Sequence, residues 1–137
     1  MDQQPRRILI VDDDPTVCQI CRRILDSAGY QTHEASDGSA ALDFMREFPD
    51  KPHLVLSDIV MPRMNGVQLL EALSALHPGL PVLLMTGYAS QALRQLGIEV
   101  PCGVLPKPFT PEDLLSEVRR CLFPLGPGGP PASPPKS

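Results

Sequence analysis

No apolar stretch in this chain approaches the roughly 18 residues that a membrane-spanning helix needs. The start, Met1 to Arg7, is polar and lacks the apolar core of a signal peptide. Together these absences point to a soluble, cytoplasmic protein with no membrane partner. Excess positive charge is missing too. The net charge is −4, and the pairs Arg6-Arg7, Arg22-Arg23 and Arg119-Arg120 are scattered, which argues against a nucleic-acid footprint. Tryptophan is absent, and no internal repeat is visible. Four cysteines without a secretory signal are expected to stay reduced. Cys18 and Cys21 form a C-x-x-C, but they lie inside a helical pattern and no second closely spaced pair completes a metal site, so they read as helix packing.

What the chain does have is four apolar segments that each stop on a polar residue. Ile8-Leu9-Ile10-Val11 runs into Asp12-Asp13-Asp14, and Leu54-Val55-Leu56-Ser57 runs into Asp58. Val82-Leu83-Leu84-Met85 runs into Thr86, and Val104-Leu105-Pro106 into Lys107. Short apolar runs bounded by turn signals read as strands buried on both faces. Tyr30 to Ala35 alternates instead, as a half-exposed edge strand does.

Helical patterns fill the intervals. Asp14 can cap a helix whose first residue is Pro15. Its inward stripe is Val17, Ile20, Cys21, Ile24, Leu25 and Ala28, and Gly29 ends it. A second helix opens at Asp37-Gly38 and runs through Phe48. A third runs from Gly66 to Leu76, with Leu69, Leu70, Leu73 and Leu76 inward. A short, weak helical stretch is expected near residues 89–96. The last helix starts at Thr110, its cap, and turns Leu114, Leu115, Val118, Cys121 and Leu122 inward.

Five strands alternating with helices imply an α/β fold, a doubly wound parallel sheet with right-handed crossovers. The three most apolar strands belong in the centre, and the alternating second strand and short fifth belong at the edges. The order 2-1-3-4-5 satisfies both conditions, with its switch point between strands one and three. Residues 1–6 form an N-terminal extension, 7–123 the folded domain, and 124–137 a Pro/Gly-rich tail that cannot form a core and is expected to be disordered.

Ligands of open parallel sheets bind beyond the carboxyl ends of the strands. At that rim the sequence places three carboxylates, a hydroxyl and an ammonium. Mg²⁺ takes oxygen ligands and keeps several waters, so Asp12, Asp13 and Asp58 suit it. A carboxylate can also act as nucleophile toward a phosphoryl group. Lys107 can then neutralise charge, and Thr86 can donate a hydrogen bond to a phosphoryl oxygen. The three histidines are isolated from one another and from the strand ends, and read as surface or satisfied residues.

The stretches 8–15, Ser57-Asp58-Ile59-Val60-Met61-Pro62-Arg63-Met64-Asn65-Gly66, Met85-Thr86-Gly87-Tyr88 and Lys107-Pro108-Phe109 resemble the receiver domain of bacterial two-component response regulators, of the chemotaxis-regulator type. The resemblance implies a flavodoxin-like receiver fold in which Asp58 accepts a phosphoryl group from a histidine kinase or phosphotransfer protein. It implies that Asp12, Asp13, Asp58 and the Val60 backbone carbonyl hold Mg²⁺, and that Thr86 and Lys107 sense the phosphate. A cis Lys107-Pro108 bond is expected, because lysine must turn into the site while Phe109 packs beneath it. Val104 stands where the family often has an aromatic switch residue, so output is expected around Thr86-Gly87-Tyr88 instead. Val60 and Tyr88 are expected to flank the approach of a hydrolytic water.

Two other readings compete. Asp12-Asp13-Asp14-Pro15-Thr16 satisfies the D-x-D-x-T pattern of haloacid-dehalogenase-type phosphatases, with Asp12 as nucleophile, but only Glu112 and Asp113 remain for that family's later acidic pair. The chain could also be a receiver-like interaction module that takes no phosphate. Because only the tail follows Leu122, the sequence suggests either a stand-alone receiver that docks to a target or relays phosphate, or a piece of a hybrid kinase.

Overall fold

A computed structural model of the chain describes residues 6–47, 51–59, 66–86 and 102–123. Five parallel strands, β1 (Arg7–Val11), β2 (Gln31–Ala35), β3 (Leu54–Asp58), β4 (Val82–Thr86) and β5 (Gly103–Pro106), form one sheet in the order β2-β1-β3-β4-β5. Among the described residues, four helices pack on it: α1 (Pro15–Ser27), α2 (Gly38–Glu47), α3 (Gly66–Leu76) and α4 (Pro111–Leu122). The expected fold class and strand order are both present. The expected helical stretch near 89–96 and the tail lie outside the described residues, as does Phe48.

Strand alternation sorts the core into two layers. Leu9, Val11, Val55, Val82 and Leu84 pack with Ala41, Leu42 and Met45 of α2 and Leu69, Leu70 and Leu73 of α3. Ile8, Ile10, Leu54, Leu56, Leu83 and Met85 point the other way, onto Cys18, Cys21 and Leu25 of α1 and Leu114, Val118 and Cys121 of α4. This explains why the central strands are apolar throughout: each residue has a helix on its own side of the sheet. β2, at the edge, is buried only at Ala35.

Helix ends follow their sequence signals. The Asp14 carboxylate accepts the N–H of Thr16 at 2.9 Å, and Gly29 leaves α1 with φ 95°, a region open to glycine at no steric cost. Asp37, almost fully buried, accepts the N–H of Ala40 at 2.8 Å and so starts α2. Thr110 and Asp113 form a reciprocal capping box at the start of α4.

Three expectations need correction. Ile20 is 49% exposed and Ala28, at the C-cap, is exposed too, because α1 turns Cys18, Cys21 and Leu25 to the sheet rather than a stripe centred on Ile20. Leu76 is 50% exposed, since it lies at the C-terminal end of α3, past the last turn that meets the core. The third concerns the thiols: Cys102 and Cys121 are joined in a disulfide, with Cα atoms 5.7 Å apart. The start of β5 and the last turn of α4 are neighbours in the fold, a pairing that a scan for closely spaced cysteines does not see. Cys18 and Cys21 are free and buried, as helix packing requires.

Candidate functional site

Parallel register places the polar residues in a row. Ile10 pairs with Leu56 and Val11 with Ser57, so Asp12 follows Val11 beside Asp58. Asp58 pairs with Met85, which puts Thr86 one step further, and Thr86 pairs with Pro106 just before Lys107. Backbone bonds carry the ladder past the last paired residues: Asp12 N–H donates to the Ala35 carbonyl at 3.1 Å, and Lys107 N–H to the Thr86 carbonyl at 2.7 Å.

Carboxylate oxygens of Asp12, Asp13 and Asp58 all lie within 4.8 Å of one another. The Nζ of Lys107 sits 3.4 Å from Asp12 Oδ2 and 3.3 Å from Asp58 Oδ1. Asp12 is almost fully buried, Asp58 partly so, and Asp13 exposed. Thr86, at the end of a fully buried strand, is itself 1% exposed. The structure therefore brings Asp12, Asp13, Asp58 and Lys107 into direct proximity, with Thr86 beside them in register. Val60, Gly87 and Tyr88 lie outside the described residues, and so do the expectations placed on them. The Lys107-Pro108 bond is cis, as the sequence leads one to expect.

Three of these oxygens have defined partners. Asp12 Oδ1 accepts the N–H of Asp14 at 2.9 Å, while its Oδ2 faces Lys107. Asp58 Oδ1 accepts the N–H of Ile59 at 2.9 Å. Burial raises the pKa of Asp12 above its ordinary value and the nearby Asp58 charge adds to this, with the Asp14 N–H and Lys107 opposing. For Lys107, burial would lower the pKa, but the two facing carboxylates outweigh it and the net shift is upward. A buried Asp12 whose proton affinity is raised further by the neighbouring Asp58 charge marks a site poised for a cation. Three hard oxygen donors within reach of one point fit Mg²⁺, which needs only one or two carboxylates beside its waters.

Two supporting side chains escaped the sequence reading. Ser57 Oγ donates to the Asp58 carbonyl at 2.8 Å, and Cys18 Sγ donates to the Asp12 carbonyl at 3.4 Å. Ser57 had a signal, as a polar residue inside an apolar strand. Cys18 had none beyond its place in α1.

A model of the response regulator receiver domain matches residues 8–119. The chain is 39% identical over 116 residues to the sensor kinase CckA of Brucella abortus (strain 2308), an alignment covering 84% of this chain and 12% of that protein. It is 39% identical over 119 residues to the response regulator MprA of Mycolicibacterium vanbaalenii, covering 86% of this chain and 51% of that one. The chain thus spans a small part of the first relative and about half of the second. Among solved structures, the chemotaxis response regulator CheY4 of Vibrio cholerae is similar with a TM-score of 0.78 and 30% identity, over 87% of this chain and 100% of that one.

Proposed function

The chain belongs to the response regulator receiver domains of two-component systems, and on that footing we propose that Asp58 accepts a phosphoryl group from the phosphohistidine of a histidine kinase or phosphotransfer protein. One observation carries the assignment: Lys107 Nζ bridges Asp58 and Asp12 inside a cluster of three carboxylates at the strand ends.

The chemistry follows from the geometry. A free carboxylate oxygen of Asp58 attacks phosphorus, the P–N bond breaks as the O–P bond forms, and the imidazole nitrogen leaves with the electron pair. The Ile59 N–H fixes the carboxylate, and Lys107 offsets the negative charge of the nucleophile and of the transferring oxygens. Asp12, Asp13 and Asp58 would hold Mg²⁺, with the Val60 carbonyl as a further ligand by family resemblance. The bound ion would supply Lewis-acid neutralisation of the phosphoryl oxygens. Thr86 would donate to a phosphoryl oxygen and Lys107 follow it, so that the product is a signal rather than a turnover.

Asp12 is a poorer nucleophile here. It is 2% exposed, and its two oxygens are engaged by the Asp14 N–H and by Lys107. Asp113, needed for a phosphatase's later acidic pair, is committed to the capping box. Among the described residues no helix is long and apolar enough to cross a membrane, and the acidic net charge offers no footprint for nucleic acid. A cytoplasmic protein partner is the reading these features support.

Labelling with acetyl phosphate in Mg²⁺ buffer, followed by mapping of the modified residue, tests the assignment. Modification at Asp58 is the expected result. Modification at Asp12 would favour the phosphatase reading, and no labelling with or without Mg²⁺ would favour an interaction module.

A further inference from the structure

The four cysteines divide into two unlike pairs. Cys18 and Cys21 are buried under α1, and their thiols are pushed up to about 11 and about 12, chiefly by burial, which leaves almost no thiolate to react. Cys102 and Cys121 are joined, and Cys102 is partly exposed at the edge of the sheet, whereas Cys121 is 8% exposed beneath it. A second contact clasps the same two points. Arg120 Nη2 donates to the Cys102 carbonyl at 3.2 Å while pairing with Glu117. The neighbouring residue of β5 is Gly103, where an added Cβ would stand 2.7 Å from Arg120 Nη2. Glycine therefore leaves room for the Arg120 guanidinium to lie against the strand.

Topology gives this pair its reach. The link closes a covalent ring from Cys102 through β5, the Lys107-Pro108-Phe109 turn and α4 to Cys121. That ring contains Lys107, the ammonium that bridges Asp12 and Asp58. β5 is an edge strand of four residues, paired on one side only, and a strand of that kind opens readily unless something holds it.

We propose that Cys102 and Cys121 form a thiol–disulfide exchange site for small-molecule disulfides, and that its oxidation latches β5 and the last turn of α4 together. In a reducing compartment the pair rests as two thiols. When the disulfide pool rises, the accessible Cys102 thiolate attacks one sulfur of the incoming disulfide. The S–S bond breaks and one small thiol leaves. The Cys121 thiolate then attacks Cys102 in the mixed disulfide and expels the second small thiol. Two protein thiols lose two electrons and two protons, and one small disulfide gains them as two thiols.

The test uses the full chain equilibrated in glutathione buffers running from fully reduced to fully oxidised, quenched by alkylation and mapped by mass spectrometry. The expected result is a reversible 102–121 cross-link, with Cys18 and Cys21 remaining thiols. Amide exchange at 103–105 and 119–123 is expected to slow by about tenfold on oxidation, since closing a ring removes open states. Cys102→Ser should exchange alike in both buffers, at the rate of the reduced parent. A cross-link that never forms in oxidised glutathione, one that reduced glutathione cannot reverse, or equal exchange rates in the two states would overturn the proposal. None of these readouts depends on phosphoryl chemistry.

Discussion

Lys107 and Asp58 face each other across β4: Nζ of the lysine lies 3.3 Å from Oδ1 of the aspartate, although 49 positions separate them in the chain (107 − 58). The lysine thus occupies the ground that a cation would share. Replacing it with an uncharged side chain of similar length removes a positive charge from the carboxylate cluster. Lys107→Met is expected to bind Mg²⁺ about tenfold more tightly, because like-charge repulsion at partly buried distances is worth roughly a kcal/mol or more. Calorimetric titration measures it, and unchanged or weaker binding would show that Lys107 does not oppose the metal. Phosphoryl uptake should fall in the same variant, since the second positive pole is gone.

Asp58→Ala is expected to end phosphoryl uptake and leave the fold intact. The metal-free variant should be as stable as the parent or more so, by up to about 1 kcal/mol, because one of three mutually repelling carboxylates is removed. Urea denaturation with and without Mg²⁺ separates the effects: the parent should gain more from the ion than the variant. Full labelling of the alanine protein at another aspartate would refute the site.

At the opposite end of the sheet, His53 closes the β1–β3 ladder. Its Nδ1 accepts the N–H of Arg7 at 2.9 Å, and its own N–H donates to the Arg7 carbonyl at 2.7 Å. Burial, then the charges of Arg7 and Arg6, lower its pKa below the ordinary 6.5. The unfolded chain therefore binds more protons near neutrality than the folded one, and stability rises with pH there. The contribution is complete above the unfolded pKa and is lost as pH falls through the lower folded value. His53→Gln, whose carbonyl can accept the same N–H at any pH, should flatten the slope between about pH 5 and 7. Denaturation curves across that range measure it, and an equal slope in both proteins would clear His53 of the effect.

The capping box of α4 should be worth about 1 kcal/mol. Thr110 Oγ1 accepts the Asp113 N–H at 3.0 Å, and Asp113 Oδ2 accepts the Thr110 N–H at 3.1 Å. Thr110→Ala removes the first bond and Asp113→Ala the second. The double variant should lose less than the sum of the two, as reciprocal partners do. Strict additivity in thermal unfolding would mean that the two bonds act separately.

The strands and the rim were legible because both rest on short-range rules. An apolar run of four residues ending in Asp, Thr or Lys states its own register to within a residue, and parallel pairing does the rest. Helix faces were less legible. The sequence pattern of α1 admits either Ile20 or Cys18 on the inward side, and only the way the helix lies against β1 and β2 decides for Cys18. The same is true of Leu76, whose spacing is right but whose turn overshoots the sheet. Contacts that join distant residues left no local trace: Cys102 with Cys121, and Arg7 with His53. Each depends on which element lies beside which, and that is a property of the assembled sheet.

The Arg6 guanidinium lies 4.9 Å from the centre of the Phe123 ring, where the strand that begins the domain meets the helix that ends it. Asp12 closes the other end of that strand, about 20 Å from Arg6 at a strand's rise per residue. The two ends of the described domain therefore meet at one pole, and the cluster of Asp12, Asp13, Asp58 and Lys107 lies at the other. A partner joined at either of these ends would start from the far pole, leaving open the rim where we propose that phosphoryl transfer takes place.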